Sequence, residues 1–225
     1  MQRTRVKICG VGRVDDALAA ARAGADAVGM VFCPEAKRNV PPLRAREILA
    51  ALPPFVTAVG LFVDLPIARV MDAARAMHLR HIQLHGSETP QQVAQLAEFT
   101  VLKAIRVEPN TFAAELESWR EAISRLQLVH LQGFVLETAG AAGGTGVANN
   151  WDLIAHHRQR GDFVGLPHLI AAGGLTPETV GDVVQRIRPW AVDVSSGVED
   201  SPGHKSEEKM HAFVRAVREA EECDR

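Results

Sequence analysis

The sequence predicts an α/β protein built as a single (β/α)8 barrel over residues 1–225. It contains eight short apolar runs, a helical pattern after each run, and glycine-rich or polar turns between them. Short continuous apolar strands between amphipathic helices indicate a parallel sheet covered by helices. Eight strand–helix pairs fit in 225 residues, within the size range of such barrels. A doubly wound open sheet is the competing architecture, but "CGVGRVD" has only the first half of its usual GxGxxG turn.

Each predicted strand is short and often β-branched. The runs are "RVKI" (5–8), "AVGMVF" (27–32), "TAVGLFV" (57–63), "HIQL" (81–84), "TVLKAI" (100–105), "GFVL" (133–136), "PHLIA" (167–171) and "AVDV" (191–194). Helical spacing appears in "VDDALAAARAG", "LPIARVMDAARAM", "TPQQVAQLAEF" and "TPETVGDVVQRI". Thr89 and Thr176 each precede a proline, which predicts two helix N-caps. Gly24 is predicted to end the first helix.

Composition excludes several functional classes. The formal net charge is -2 and no basic stripe is present, so we expect no nucleic-acid partner and no membrane partner. The three cysteines are widely scattered, which indicates reduced thiols in a cytoplasmic protein rather than a disulfide framework. The segment "MQRTRVKICG" has no apolar core of a signal peptide, and no apolar run approaches ~18 residues. Neither HExxH nor CxxC occurs, so no metal is predicted, and nothing indicates a cofactor.

The exit of the first strand carries a lysine and a thiol. Active sites of (β/α)8 barrels lie at the carboxyl ends of the strands. Lys7 and Cys9 have the same strand parity, so both are predicted to point into the barrel. An ammonium group near a thiol lowers the thiol pKa below ~8.5, which makes Cys9 a candidate base or nucleophile. The alternative is core filling, because cysteine is among the most often buried residues.

Glycine-rich loops follow the last three predicted strands: "AGAAGGTG" (139–146), "AAGG" (171–174) and "SSG" (195–197). Backbone N–H groups converge on an anion only where no side chain intrudes, and phosphate sites of this fold recur after strands seven and eight. The loops therefore predict a phosphate site, with turn geometry alone as the alternative reason for the glycines. The predicted phosphate-binding residues are Gly143, Gly144, Gly173, Gly174, Ser195, Ser196 and Gly197.

Charged and polar residues complete the candidate site. Glu137 and Asp193 stand near the ends of the sixth and eighth strands, where both could face the pocket. Arg38 follows the second strand and could hold a carboxylate through two hydrogen bonds, or be a solvated loop arginine. Gln83 and His85 end the fourth strand with matching parity, although a lone histidine there is more often structural than catalytic.

Several motifs together resemble one enzyme family. "KICG", "FCPEAKRNV", "IQLHG", "AAGGLTPETV" and "AVDVSSGVEDSPGHK" occur in this order along essentially the whole chain. They are similar to those of phosphoribosylanthranilate isomerases of tryptophan biosynthesis, which are TIM barrels. The resemblance implies an intramolecular oxidoreductase that opens the ribose ring of its substrate. An Amadori rearrangement then converts the aminoaldose into a 1-amino-ketose, with no cofactor.

The resemblance also implies residue roles. Cys9 would be the general base that removes the sugar C2 proton, and Arg38 would hold the anthranilate carboxylate. Glu137 stands where the family has its general-acid aspartate. A glutamate keeps a carboxylic acid of similar reference pKa. Its side chain is longer by roughly 1.5 Å, which predicts a compensating backbone shift or a slower enzyme. Lys7, Gln83, His85 and Asp193 would contact the substrate.

The sequence departs from the family's motifs at two further places. Ala36 replaces the serine of the family's P-x-S-x-R motif, and Asn149-Asn150 replaces its Phe-Asp.

Two other functions stay open from the sequence. One is a paralogous phosphosugar barrel with changed chemistry, for instance an imine formed on Lys7 or Lys103. The other is a phosphate-ligand binding protein whose acid–base pair has drifted. The expected partner is a small phosphoribosyl substrate. A monomer is the default state and a homodimer is the alternative.

Overall fold

A computed structural model describes residues 3–138 and 148–222. Eight parallel strands form a closed barrel in sequence order, and the eighth strand pairs with the first. The predicted (β/α)8 fold is therefore confirmed, and the open-sheet alternative is wrong. The strands are β1 (Arg5–Cys9), β2 (Ala27–Val31), β3 (Thr57–Phe62), β4 (His81–Leu84), β5 (Thr100–Val107), β6 (Leu131–Thr138), β7 (His168–Ala171) and β8 (Ala191–Val194).

Helices cover the outside of the barrel. They are α1 (Val14–Ala23), α2 (Pro42–Ala51), α3 (Ile67–Ala76), α4 (Pro90–Ala94), α5 (Phe112–Leu126), α6 (Trp151–Arg160), α7 (Val180–Ile187) and α8 (Glu207–Glu222). After β8 the chain forms a 3-10 turn at Ser196–Val198 and a small hairpin, β9 (Glu199–Ser201) and β10 (His204–Lys205). None of the described helices is both long enough and apolar enough to cross a bilayer.

The predicted helix ends have mixed outcomes. Gly24 ends α1 in the left-handed region, with φ of 91°. Thr89 caps α4 in a reciprocal capping box with Gln92, although α4 ends at Ala94 rather than continuing to residue 99. The prediction for Thr176 is wrong, because α7 begins at Val180. Thr176 instead opens a preceding turn, where its backbone N–H donates to the Thr179 hydroxyl at 3.0 Å.

Strand register decides which side chains enter the barrel. Paired residues on neighbouring strands share a face, and Lys7 is paired with both Ala27 and Asp193. Inside, Val135, Ile170, Ala172 and Ala191 form one buried apolar cluster. The opposite wall has a second cluster formed by Cys9, Val31 and Leu61. The larger core lies between the strands and the helices, around side chains such as Ile8, Met30, Phe62 and Phe134.

Gly29 gives Lys7 and Cys9 the space they occupy. It is paired with Cys9 across β1 and β2. A Cβ atom at residue 29 would lie 2.8 Å from Cys9 Sγ and 3.1 Å from Lys7 Nζ. Real carbon atoms do not approach a sulfur atom so closely, so one side chain would have to move.

We therefore predict that Gly29→Ala lowers the free energy of unfolding by about 1–3 kcal/mol, because the added methyl overpacks the interior. Urea unfolding measures the change. Gly12→Ala is the control, because a Cβ there meets no described atom within 4 Å. Its effect should stay within about 0.5 kcal/mol. Equal stability of the two variants would contradict this packing.

Candidate active site

A buried ion pair joins the first and last strands. Lys7 Nζ lies 2.8 Å from Asp193 Oδ2, and the two side chains are only 6% and 5% exposed. Burial alone would lower the pKa of Lys7, but attraction to Asp193 and Cys9 outweighs it, so its pKa is raised. For Asp193, burial raises the pKa more than Lys7 lowers it. Asp193 Oδ1 is buried and has no hydrogen-bond partner among the described residues.

Cys9 lies beside this pair, as the strand parity predicted. Its thiol packs in the cluster with Val31 and Leu61, and it also interacts with Lys7. The expected lowering of its pKa is wrong. Burial raises the pKa of the thiol, and it outweighs the opposing attraction of the Lys7 ammonium. The physical reason is that the thiolate would be formed at a buried position, where solvent stabilises the charge poorly. Cys9 thus fills the interior and lies next to a cation as well.

Glu137 ends β6 on the other side of the interior. Burial and the charge of Asp193 raise its pKa to about 7, against a smaller lowering by Lys7. Its carboxyl group is therefore about half protonated at neutral pH. A carboxyl group with a raised pKa therefore lies near the end of β6.

His85 lies next to Glu137, with Nε2 3.7 Å from Glu137 Oε1. Burial and the nearby charges of Lys7, Lys103 and Arg106 lower the pKa of His85 to about 4, so the ring is neutral at pH 7. The amide nitrogen of Gln83 lies 2.9 Å from Nδ1 and donates to it. The ring proton is therefore on Nε2, which faces Glu137. Gln83 Oε1 is buried without a hydrogen-bond partner among the described residues.

Arg38 is held by a carboxylate of the chain itself. Its Nε and Nη2 each donate to Glu199 at 2.7 Å, and the two side chains are 12% and 5% exposed. The alternative of a solvated loop arginine is therefore wrong. Glu199 also accepts from Lys205 Nζ at 2.8 Å, and Lys205 in turn donates to the carbonyl of Ser195 at 2.9 Å. Burial raises the pKa of Glu199, but hydrogen bonds and charges from Arg38 and Lys205 together lower it by more. The net shift of the pKa is therefore downward.

Sequence reasoning assigned no role to Glu199 and Lys205. Both lie in the quoted motif "AVDVSSGVEDSPGHK", but the arginine that Glu199 binds, Arg38, comes from another loop. Arg38 is 161 residues away from Glu199, so only the closed barrel shows that they meet. Gly10 allows this contact, because a Cβ there would clash with the Arg38 side chain.

The loops after β7 and β8 meet through glycine backbones. Gly173 and Gly174 have φ of 94° and 66°, in the left-handed region. A Cβ on Gly197 would clash with the carbonyl oxygen of Leu175, so the two loops touch main chain to main chain. Ser195 precedes the 3-10 turn that begins at Ser196. The remaining predicted phosphate residues, Gly143 and Gly144, lie outside the described residues.

Asn149 and Asn150, which stand in place of the family's Phe-Asp, both make structural hydrogen bonds. The buried amide of Asn149 donates to the carbonyls of Leu136 at 2.9 Å and Ala172 at 3.0 Å, which joins β6 to the β7 exit. Asn150 caps α6 by accepting from the N–H of Leu153 at 3.0 Å. Ala36 packs partly buried against the Cys9 cluster.

Lys103 does not belong to this site. It is paired with Leu84, on the face opposite to Gln83, and its Nζ donates to the carbonyl of Gly86 at 2.7 Å. Its carboxylate partner is Glu88, at 3.3 Å. Within residues 3–138 and 148–222, no group of three or more His, Cys, Asp or Glu side chains is arranged to hold a metal ion.

The geometry thus defines an acid–base enzyme of the (β/α)8 class, with a thiol, a carboxylic acid and a cationic arm at the strand exits. Comparisons with known proteins name the family. A family model for N-(5'phosphoribosyl)anthranilate (PRA) isomerase matches residues 6–216. The chain is 42% identical to the N-(5'-phosphoribosyl)anthranilate isomerase of Geobacter metallireducens, covering 95% of this chain and 98% of that one. It is 44% identical to the Moorella thermoacetica protein of the same name, over 97% and 91% of the two chains.

Solved structures agree. Phosphoribosyl anthranilate isomerase from Thermotoga maritima superposes with a TM-score of 0.84 at 37% identity, covering 96% of this chain and 99% of that one. An isomerase solved with reduced 1-(o-carboxyphenylamino)-1-deoxyribulose 5-phosphate has a TM-score of 0.81 at 35% identity, with the same coverage. The chain belongs to the N-(5'-phosphoribosyl)anthranilate isomerase family.

We predict that Glu199→Gln lowers the free energy of unfolding by about 2–4 kcal/mol, because it leaves Arg38 and Lys205 without a buried counter-charge. Chemical denaturation measures the loss. Glu47→Gln is the matched control, since the Arg44–Glu47 pair is 52% and 50% exposed. An exposed pair contributes at most about 1 kcal/mol. Similar losses of unfolding free energy in the two variants would show that the Glu199 contacts do not stabilise the fold more than an exposed ion pair does.

Proposed function

We propose that this chain isomerises N-(5'-phosphoribosyl)anthranilate to 1-(2-carboxyphenylamino)-1-deoxyribulose 5-phosphate, in tryptophan biosynthesis. The observation that carries the proposal is the acid–base pair Cys9 and Glu137. In a chain of this family, the two groups stand at the exits of β1 and β6 and are both perturbed by the Lys7–Asp193 pair. The reaction is an aldose–ketose isomerisation that needs one acid and one base.

Glu137 is the proposed general acid. Its raised pKa keeps a substantial fraction protonated at neutral pH. The carboxyl proton passes to the ribose ring oxygen while the bond from that oxygen to C1 breaks. The anthranilate nitrogen supplies the electron pair, so a protonated Schiff base forms and Glu137 becomes a carboxylate.

Cys9 is the proposed general base. Its thiolate removes the C2 proton of the Schiff base, and the electron pair of that bond moves toward nitrogen to give an enolamine, which tautomerises to the ketose. The free enzyme holds Cys9 mainly as a thiol, because burial raises its pKa. The form of the free enzyme in which Glu137 is protonated and Cys9 is ionised is therefore a minor one. The Lys7 ammonium and the cationic Schiff base both favour the thiolate when it forms.

Binding groups surround this pair in the proposal. The backbones of Gly173, Gly174 and Gly197, with Ser195 and Ser196, form the phosphate cradle. Gly143 and Gly144, outside the described residues, are further candidates from the sequence. Main-chain contact between the two described loops supports the cradle. Asp193 Oδ1 and Gln83 Oε1 are buried acceptors that ribose hydroxyls would satisfy. Arg38 holds the anthranilate carboxylate, with Glu199 fixing its direction, and Lys7 and His85 contact the sugar.

The alternative of a phosphate-ligand binding protein without catalytic activity is not favoured. A drifted binding protein needs neither a thiol beside an ammonium nor a carboxyl group with a pKa of about 7. An imine mechanism on Lys103 is also not favoured, because that lysine lies outside the barrel interior. Lys7 is paired with Asp193 and has a raised pKa, which makes it a poor amine nucleophile.

We further propose that residues 1–225 act as one domain in the cytoplasm, where the Cys9 thiol stays reduced. Every described group of the proposed site comes from one barrel, so a monomer has all it needs. A homodimer is the competing state, because the Thermotoga maritima relative is dimeric.

We predict that Cys9→Ser and Glu137→Gln each lower kcat by roughly 10²–10⁴-fold, the usual contribution of general acid or base catalysis. Loss of substrate fluorescence measures turnover with enzymatically generated substrate. Cys33→Ser is the control thiol variant, because the Cys33 thiol donates a hydrogen bond to Glu35 in the second loop. The kcat of this variant should stay within about twofold of the wild-type value. Full activity of either Cys9→Ser or Glu137→Gln would remove the role assigned to that residue.

A further inference from the structure

The loops after β3 and β4 hold each other through two carboxylates. Asp64, in the loop after β3, accepts a hydrogen bond from the backbone N–H of Ser87 at 2.6 Å. In the opposite direction, the Asp64 N–H donates to Glu88 Oε1 at 2.9 Å, and the Gly86 N–H donates to Glu88 Oε2, also at 2.9 Å. A Cβ atom on Gly86 would clash with the Asp64 carboxylate. Each loop thus supplies a side chain to the main chain of the other.

A buried lysine holds this contact from behind. Lys103 Nζ, on β5, lies 3.3 Å from Glu88 Oε2, and both side chains are almost fully buried. The same ammonium group donates to the carbonyl of Gly86 at 2.7 Å and to that of Ala104 at 2.9 Å. These three acceptors match the three N–H donors of an ammonium group. The β3–β4 clasp is the name used below for Asp64, Gly86, Ser87, Glu88 and Lys103.

Stability of the fold alone is a poor reason for the clasp. A buried ion pair often stabilises a protein no more than apolar side chains of similar volume would. Burial lowers the pKa of Lys103 more than the attraction of Glu88 raises it, so the charged ammonium group is disfavoured relative to one in water. The pair also lies outside the barrel interior, because Lys103 is paired with Leu84. What the clasp holds in place is therefore the more informative question.

His85 is the residue that the clasp holds. It precedes Gly86 in the chain, and its backbone N–H donates to the carbonyl of Phe62 at 2.9 Å, at the end of β3. Main-chain hydrogen bonds therefore fix the chain at residue 85 and again at residues 86–88. The His85 ring lies in the barrel mouth, with Nε2 3.7 Å from Glu137 Oε1. A segment fixed on both sides leaves this ring little freedom to move away from Glu137.

We propose that Glu88 and Lys103 are positioning residues that hold the His85 ring beside Glu137. Their role rests on the proposed function, in which His85 contacts the sugar and Glu137 is the general acid. Glu88 and Lys103 lie behind the β4 exit and act on the reaction only through the place of His85. A displacement of about 1 Å in a catalytic site can cost on the order of a hundredfold in rate. Loosening the clasp should therefore slow turnover although every catalytic group is still present.

A double-mutant cycle separates positioning from general stability. Glu88→Gln removes the carboxylate that Lys103 binds, and kcat/KM should fall by about tenfold or more. In a His85→Ala background, the same substitution should lower kcat/KM by less than about threefold, because no ring is left to be misplaced. Equal losses in the two backgrounds would show that Glu88 only stabilises the barrel and would overturn the proposal.

The place of His85 also has a readout that needs no substrate. Burial and the charges of Lys7, Lys103 and Arg106 hold the pKa of His85 at about 4. Glu88→Gln should raise this pKa by about one unit or more, toward the ordinary value of ~6.5, because the displaced ring becomes exposed. Loss of the Glu88 charge by itself would lower the pKa, so the sign of the shift identifies displacement.

NMR of protein labelled with ¹⁵N-histidine measures this pKa, and the spectrum of His85→Ala identifies the signal. An unchanged or lowered pKa of His85 in Glu88→Gln would contradict the positioning role.

Thr89→Ala is the matched control. Thr89 follows Glu88 and caps α4, so its substitution weakens the same segment without touching the clasp. Its kcat/KM should stay within about twofold of the wild-type value, with the pKa of His85 unchanged. A loss of kcat/KM as large as that of Glu88→Gln would count against a specific role of the clasp.

A second variant serves if Glu88→Gln does not fold. Asp64→Gly removes the exposed carboxylate of the clasp, and the left-handed φ of 49° at this position suits glycine. It should lower kcat/KM and raise the pKa of His85, in the same directions as Glu88→Gln. No change in either quantity would overturn the proposal.

Turnover by the unsubstituted protein is measured first. Without it, the proposed function fails, and the His85 titration alone decides whether the clasp positions the ring. With it, additive losses in the cycle reject the role of Glu88 and Lys103 and leave the proposed function standing.

Discussion

The Lys7–Asp193 ion pair is the interaction on which the rest of the site depends. It closes the barrel from the inside, because its two residues are register partners on β1 and β8. Removing two charges from water is costly, so a buried pair is weak evidence for stability. Its effect on the neighbouring groups is clear: Asp193 raises the pKa of both Cys9 and Glu137, and Lys7 lowers both. The pair thus acts on the pKa of both the acid and the base, in addition to the larger effect of burial.

A second set of contacts serves the substrate-binding side. Glu199 joins Arg38 to Lys205, and Lys205 joins this group to the Ser195 carbonyl at the start of the proposed phosphate cradle. Arg38 and the loop that contains Ser195 are therefore held together through the buried side chain of Glu199. In the proposed function, a substrate held between these two ends would present C1 and C2 to Glu137 and Cys9, where positioning contributes to the rate.

The sequence contained most of the fold, because each strand and helix is specified locally. The apolar runs, Gly24 and the Thr89 capping box needed only neighbouring residues. Parity also predicted that Lys7 and Cys9 share the interior. The direction of the Cys9 pKa shift could not be predicted from strand parity, because it depends on how deeply the closed barrel buries the thiol. The Arg38–Glu199 contact was equally hidden, since it joins loops 161 residues apart. Thr176 was misplaced because a turn with similar residues precedes α7.

The central claim is that burial and the charge of Asp193 together raise the pKa of the Cys9 thiol against the attraction of Lys7. Alkylation of Cys9 by iodoacetamide as a function of pH measures it most directly, in a protein whose other two cysteines are replaced by serine. The account predicts an inflection above the ordinary thiol pKa of about 8.5. It also predicts a clearly lower inflection in Asp193→Asn, where the Lys7 ammonium acts on the thiol without an opposing carboxylate. An inflection that stays in place or rises in Asp193→Asn would contradict it.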